Sequence, residues 1–107
     1  MILVDSHCHI DFEEFDVDRM GVLERSAESK VAYCLVVSVE ASQFESLLVL
    51  VQSKDYLFAS AGIHPNSVSI GSETERQWVS EAGRGAEVVA IGETGLDYFR
   101  SGGDLDW

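Results

Sequence analysis

Four apolar runs recur along the chain, and the segments between them change to helical spacing. Ile2–Val4 is the first run. Residues 31–37, VAYCLVV, are β-branched and continuously apolar, which is how a strand covered on both faces reads. Residues 56–63, YLFASAGI, and 87–92, EVVAIG, supply a third and a fourth strand. From Asp16 to about Ser29, Val17, Met20, Leu23 and Ala27 fall on one side of a predicted helix, with Asp16 as its N-cap. Gly21 weakens the middle of that helix. Ser42 and Glu45 form a capping box ahead of Phe44, Leu47, Leu48 and Val51 at helical spacing. Ser72 and Glu75 form a second, and Trp78, Val79 and Ala82 carry a third helix toward Gly83. Phe99 to Trp107 is rich in Gly and Asp and reads as loop.

Strict alternation of apolar strands with helices predicts an α/β fold of right-handed β/α units around a parallel sheet. No linker, low-complexity segment or repeat divides residues 1–107, so one domain is expected.

Polar residues collect where three of the strands end. The first runs into Asp5, His7 and His9, the third into His64, and the fourth into Glu93 and Asp97. Side chains alternate along a strand, so His7 and His9 share a face and Cys8 points the other way. In parallel β/α folds the C-terminal strand ends carry the site. Imidazole and carboxylate suit a divalent metal, so His7, His9 and Glu93 are the candidate ligands. Taken alone, two histidines one residue apart arise often on surfaces. Glu93 on the same edge is what favours the metal, because a carboxylate ending a buried strand is expensive without a partner. His64, held extended by Pro65, either contacts substrate or hydrogen-bonds loop backbone. Asp97 either orients a ligand or caps a turn. Asp5 either bonds a histidine or tidies backbone. Glu13, Glu14, Asp16 and Asp18 read as a solvated helix start, and Phe44, Trp78 and the Leu/Val stripe as core.

Charge complicates this picture. The chain carries 19 acids against 7 bases, a formal net charge of −12. Such a surface repels nucleic acid unless a metal or a basic patch intervenes, which counts against a simple DNA-binding module. Cys8 and Cys34 lie in apolar stretches without a disulfide framework and read as buried, inert thiols. The N-terminus lacks a basic n-region, and no apolar run reaches membrane-spanning length. A cytoplasmic location with no membrane partner is therefore expected.

Three motifs carry a family resemblance: DSHCHID at 5–11, AGIHPN at 61–66 and IGETGLDYFR at 91–100. In order and spacing they resemble the TatD family of metal-dependent DNases, which is similar to the amidohydrolase superfamily in its single (β/α)8 barrels. The resemblance implies His7, His9 and Glu93 as metal ligands, with Glu93 and His64 as the catalytic pair. It implies divalent ions (magnesium, zinc or manganese), two in the full-length site, and hydrolysis of DNA phosphodiesters, often as an exonuclease. Other ester substrates, aminoacyl-tRNA among them, are the alternative that the resemblance allows, and the acidic balance slightly favours a small or acyl substrate. The family's later ligands, two further histidines and an aspartate, have no counterpart here. A full barrel takes about 250 residues, so 1–107 is expected to be the N-terminal half of a (β/α)8 TIM barrel, truncated after strand four. Such a fragment would be a non-catalytic half-barrel of unknown oligomeric state.

Overall fold

In a computed structural model the described residues are 1–67 and 73–100. They form β1 (Leu3–Cys8), α1 (Arg19–Glu28), β2 (Val31–Val36), α2 (Phe44–Gln52), β3 (Leu57–Ala61), α3 (Glu73–Ala82) and β4 (Val88–Ile91). Each strand pairs in parallel with the next, in the order β1-β2-β3-β4. This is the α/β architecture that the alternation of runs predicts. Short 3₁₀ turns at Glu13–Phe15 and Ala41–Gln43 lead into α1 and α2. No helix among the described residues is long and apolar enough to cross a membrane.

The core lies between the sheet and the first two helices. Leu23 from α1 and Leu47 and Val51 from α2 close over Cys34 and Val36 of β2 and Leu57 and Ala59 of β3, with Ile10 sealing one end. Phe44 is buried and meets the half-buried Trp78 of α3 edge-to-face at 5.2 Å, which docks the third helix. Cys8 turns toward this layer, its Sγ 3.4 Å from the Leu35 carbonyl oxygen. Burial pushes the Cys8 thiol up to about 12 and raises Cys34 as well, so both thiols stay protonated and inert at neutral pH.

Several local expectations need correction. β1 runs on through Cys8, well past Val4, so His7 lies within the strand. α1 starts at Arg19, because the 3₁₀ turn occupies residues 13–15 and Asp16 is used as an acceptor for Arg19. Asp16 is therefore not the N-cap. Val17 and Met20 consequently leave the apolar side and are exposed. Nor is there a capping box at α2: Ser42 Oγ donates to Glu40 instead, and the helix begins without a side-chain cap. The Ser72 box lies outside the described residues, as does the tail beyond Arg100.

β2 is not covered on both faces. Val4 pairs with Tyr33 and Leu35 with Phe58, on the side away from the helices. Tyr33 is 51% exposed and Val4 61%, and the Tyr33 and Phe58 rings meet at 6.0 Å. Among the described residues no element packs on this face. The continuously apolar pattern is thus a pattern for two layers, of which one is present.

Two small polar residues inside apolar strands tie the strand ends together. Ser60 Oγ donates to the Gly92 carbonyl at 2.6 Å and accepts from the Ser38 backbone N–H at 3.2 Å. Ser38 Oγ donates to the Gly62 carbonyl at 3.0 Å. Both serines are about 1% exposed. Gly62 permits this closeness, since a methyl group there would overlap the backbone of Gly92.

Two outcomes follow. Ser60→Ala leaves the buried Ser38 N–H and the part-buried Gly92 carbonyl without their partner, and should lower the unfolding free energy in urea by about 1–3 kcal/mol. A loss within experimental error would mean the strand ends are held some other way. The 107-residue chain, whose described residues leave β1 and β4 as open edges and an apolar face exposed, should self-associate as concentration rises in sedimentation velocity. A monodisperse monomer throughout would show that this face tolerates water.

Candidate metal centre

Parallel pairing carries the C-terminal ends of all four strands to one edge of the sheet. His7 reaches that edge from β1, His9 from the turn just beyond it, His64 from the loop after β3 and Glu93 from the loop after β4. β2 contributes no ionisable side chain here, yet it holds the other loops. Three successive carbonyls just past its end each accept one bond. Val37 faces the His9 Nδ1 at 3.2 Å, Ser38 takes the Glu93 backbone N–H at 3.1 Å, and Val39 takes the His64 backbone N–H at 2.8 Å. The Val37 N–H in turn donates to the Cys8 carbonyl at 2.9 Å.

The side chains converge. His7 Nε2 and His9 Nε2 are 3.3 Å apart. Glu93 Oε2 lies 3.6 Å from His7 Nε2 and 3.9 Å from His9 Nε2, and Oε1 lies 3.6 Å from His64 Nε2. One ligand atom each from His7, His9 and Glu93 falls within a span of 4.8 Å. Three of the residues are partly buried and His7 is half-exposed, so the cluster is open on one side.

Hydrogen bonding assigns the tautomers. His9 Nδ1 carries its proton toward Val37, which leaves the Nε2 lone pair facing His7 and Glu93. His64 Nδ1 accepts from the Asn66 N–H at 3.1 Å, so its proton sits on Nε2, facing Glu93. Phe12 stacks on the His9 ring with centroids 4.7 Å apart and planes 20° from parallel. A lone pair and a carboxylate directed at one small volume call for a cation. With metal–ligand bonds of about 2.0–2.1 Å, tetrahedral donors lie about 3.4 Å apart. The 3.3 Å between the histidine nitrogens fits that spacing, and Glu93 is a few tenths of an ångström wider. The donor set, two imidazoles and a carboxylate, suits zinc and similar ions.

The remaining acids resolve into structural roles. Asp5 Oδ1 accepts the His7 backbone N–H at 3.1 Å, so it tidies backbone and does not bond an imidazole. Asp97 caps a turn, accepting from the Arg100 and Phe99 N–H groups at 2.8 and 3.0 Å, and those bonds hold its carboxyl below the usual range. Burial raises the Asp11 carboxyl above its ordinary value, against the pull of His9 and Arg19. The sequence reading missed Ser38, Ser60 and Phe12. A serine within VVSV and another within FASAG, each a polar group in a buried run, were the available signal.

Comparison with known proteins agrees with this fold. YjjV of Escherichia coli K12, an uncharacterized metal-dependent hydrolase, is 37% identical over 98 residues, spanning 90% of this chain and 38% of YjjV. The solved structure of that TatD homolog superposes with a TM-score of 0.81 at 36% identity, covering 92% of this chain and 39% of the other. A protein of Pectobacterium carotovorum named 3'-5' ssDNA/RNA exonuclease TatD is 28% identical over 100 residues, 92% of this chain and 38% of its own length. The chain thus spans about two-fifths of the length of these relatives, and its four strands and three helices correspond to the N-terminal part of the TIM barrel of the solved homolog. The family model for TatD related DNase matches residues 4–105, a stretch that includes every side chain of the cluster, and on that match the chain belongs to the TatD family.

Proposed function

We propose that His7, His9 and Glu93 hold a divalent metal ion, and that the complete barrel hydrolyses phosphodiester bonds of DNA, working from an end. The observation that carries the reading is the convergence of three ligand atoms from two strand ends within 4.8 Å. A divalent ion held there supplies Lewis acidity and an acidified water. The chain's own residues do the rest. Val37 fixes the His9 tautomer, so Nε2 is the atom offered to the ion. Glu93 presents Oε2 to the two histidines and Oε1 to His64, which lets one carboxylate serve two sides and is compatible with a second ion. His64 keeps a proton on Nε2 beside Oε1, where it can orient the carboxylate and donate to a substrate oxygen.

The DNA substrate is supported by the family's description and by the name of the Pectobacterium relative. The net charge of −12 makes the ion doubly useful, because a phosphate approaching this surface needs a local positive charge. The same acidity supports the second reading, a metal-dependent hydrolase of a small ester or acyl substrate.

Calorimetric titration of this chain with zinc, manganese and magnesium should show binding. His7→Ala, His9→Ala and Glu93→Ala should each weaken it by at least about 10–100-fold, and Cys8→Ala should leave it unchanged. Binding that survives all three substitutions would place the ion elsewhere. In a full-length family enzyme carrying the three motifs, Gln in place of the glutamate at the position of Glu93 keeps the shape and removes the charge. Its activity on single-stranded DNA should fall at least about 100-fold with metal in excess. Turnover of aminoacyl esters without turnover of DNA by the parent enzyme would favour the second reading.

A further inference from the structure

We infer that Arg19 is a positioning residue for the metal centre: its guanidinium clamps the turn at residues 10–12 and so keeps Phe12 stacked on the His9 ring. The inference rests on the metal reading for its functional consequence. Its structural part stands without a metal.

After β1 the chain leaves the sheet and must turn, and the carbonyls of Ile10 and Asp11 need partners, while that of Phe12, which accepts the Phe15 N–H at 3.0 Å, has room for a second donor. Arg19 provides them. Its Nε donates to the Ile10 carbonyl at 2.7 Å, and Nη2 lies 3.1 Å from the Asp11 carbonyl and 2.8 Å from that of Phe12. Nη2 also meets Asp16 Oδ1 at 2.5 Å. The Phe12 N–H closes the turn on the His9 carbonyl at 3.0 Å. A planar fork of donors suits three consecutive carbonyls, whereas a lysine ammonium is one compact point of charge.

The clamp has a rigid base. Arg19 opens α1, and Leu23, four residues on along the same face, is 2% exposed in the core. The turn is thereby referred to the packed helix. The His9 ring is bounded on one edge by the Val37 carbonyl and on one face by Phe12. Val37, just past β2, is tied to the end of β1 through its N–H bond to the Cys8 carbonyl, but Phe12 stays in place only if the turn does. Arg19 is mostly withdrawn from solvent, with its side chain 22% exposed, and it lies outside the cluster of ligand atoms. It acts through Phe12 and His9.

The test uses the 107-residue chain with labelled histidines. Ring resonances of His9 and His64 are read by NMR without metal, and zinc affinity is read by calorimetry. Arg19→Lys should shift the His9 ring resonances and leave those of His64 in place, a selectivity that general destabilisation would not produce. It should also weaken zinc binding about 10–100-fold. Phe12→Leu should do the same, and the double variant should bind within about twofold of either single one, because both act on one contact. Asp16→Asn, which removes the ion pair and spares the carbonyl clamp, should leave His9 and the affinity near parental. Unmoved His9 resonances in a folded Arg19→Lys protein, or additive losses in the double variant, would overturn the inference. If Arg19→Lys does not fold, Phe12→Leu decides: parental His9 resonances there overturn it, since the clamp works through that ring. A parent chain that binds no zinc would defeat the metal reading, while the NMR comparison would still judge the clamp.

Discussion

The site depends on three consecutive carbonyl groups at residues 37–39. Val37, Ser38 and Val39 belong to the one strand end that offers no ligand, and each holds a residue that arrives from a different strand. Backbone hydrogen bonds are short and directional, so three of them along one rail set both the spacing and the order of the arriving loops. Beneath the rail, Ser60 and Ser38, both about 1% exposed, bond the ends of β2, β3 and β4 to one another. A buried polar pair costs free energy unless every group is matched, and here the two hydroxyls are matched to backbone. These neutral groups fix the strand ends, and the ligand side chains are mounted on them.

Electrostatics then explains why the cluster suits a cation. Glu93 is an anion placed among three imidazoles, with the His9 lone pair directed at the same space. On a chain of net charge −12 nothing in the wider field would draw an anionic substrate in. A divalent ion changes the local sign without altering the global one. His64, with its proton on Nε2 toward Oε1, adds a donor at the one carboxylate oxygen that the other two histidines leave free. Specialisation by atom within a single carboxylate is the economical solution when strands deliver few ionisable groups.

The two faces of the sheet differ in what they have been given. Toward α1 and α2 the side chains are buried and interlocked. On the opposite face Val4 and Tyr33 are exposed although their sequence is that of an interior. That mismatch agrees with the chain's span, about two-fifths of relatives whose fold it shares. Parallel strands are stable when both faces are covered, and the described residues cover one.

The order of elements was legible from the chain alone, because apolar runs of strand length separated by helical spacing allow little else. So was the convergence of His7, His9, His64 and Glu93, since parallel β/α units bring the strand ends to one edge. The histidine pair on one face and the inward Cys8 followed from the two-residue period of a strand. The helix starts were not legible: Asp16 and Ser42 look like caps, but Arg19 and Glu40 compete for their side chains, and such competition is settled by distance in space. The roles of Asp5 and Asp97 were open for the same reason, until backbone N–H groups two and three residues on claimed them. The tautomer of His9, the serine pair and the carbonyl rail belong to the tertiary structure, whereas the His64 tautomer is set locally by the Asn66 N–H. The first three depend on which backbone atoms meet across strands more than 20 residues apart in the chain, and no local pattern encodes that meeting.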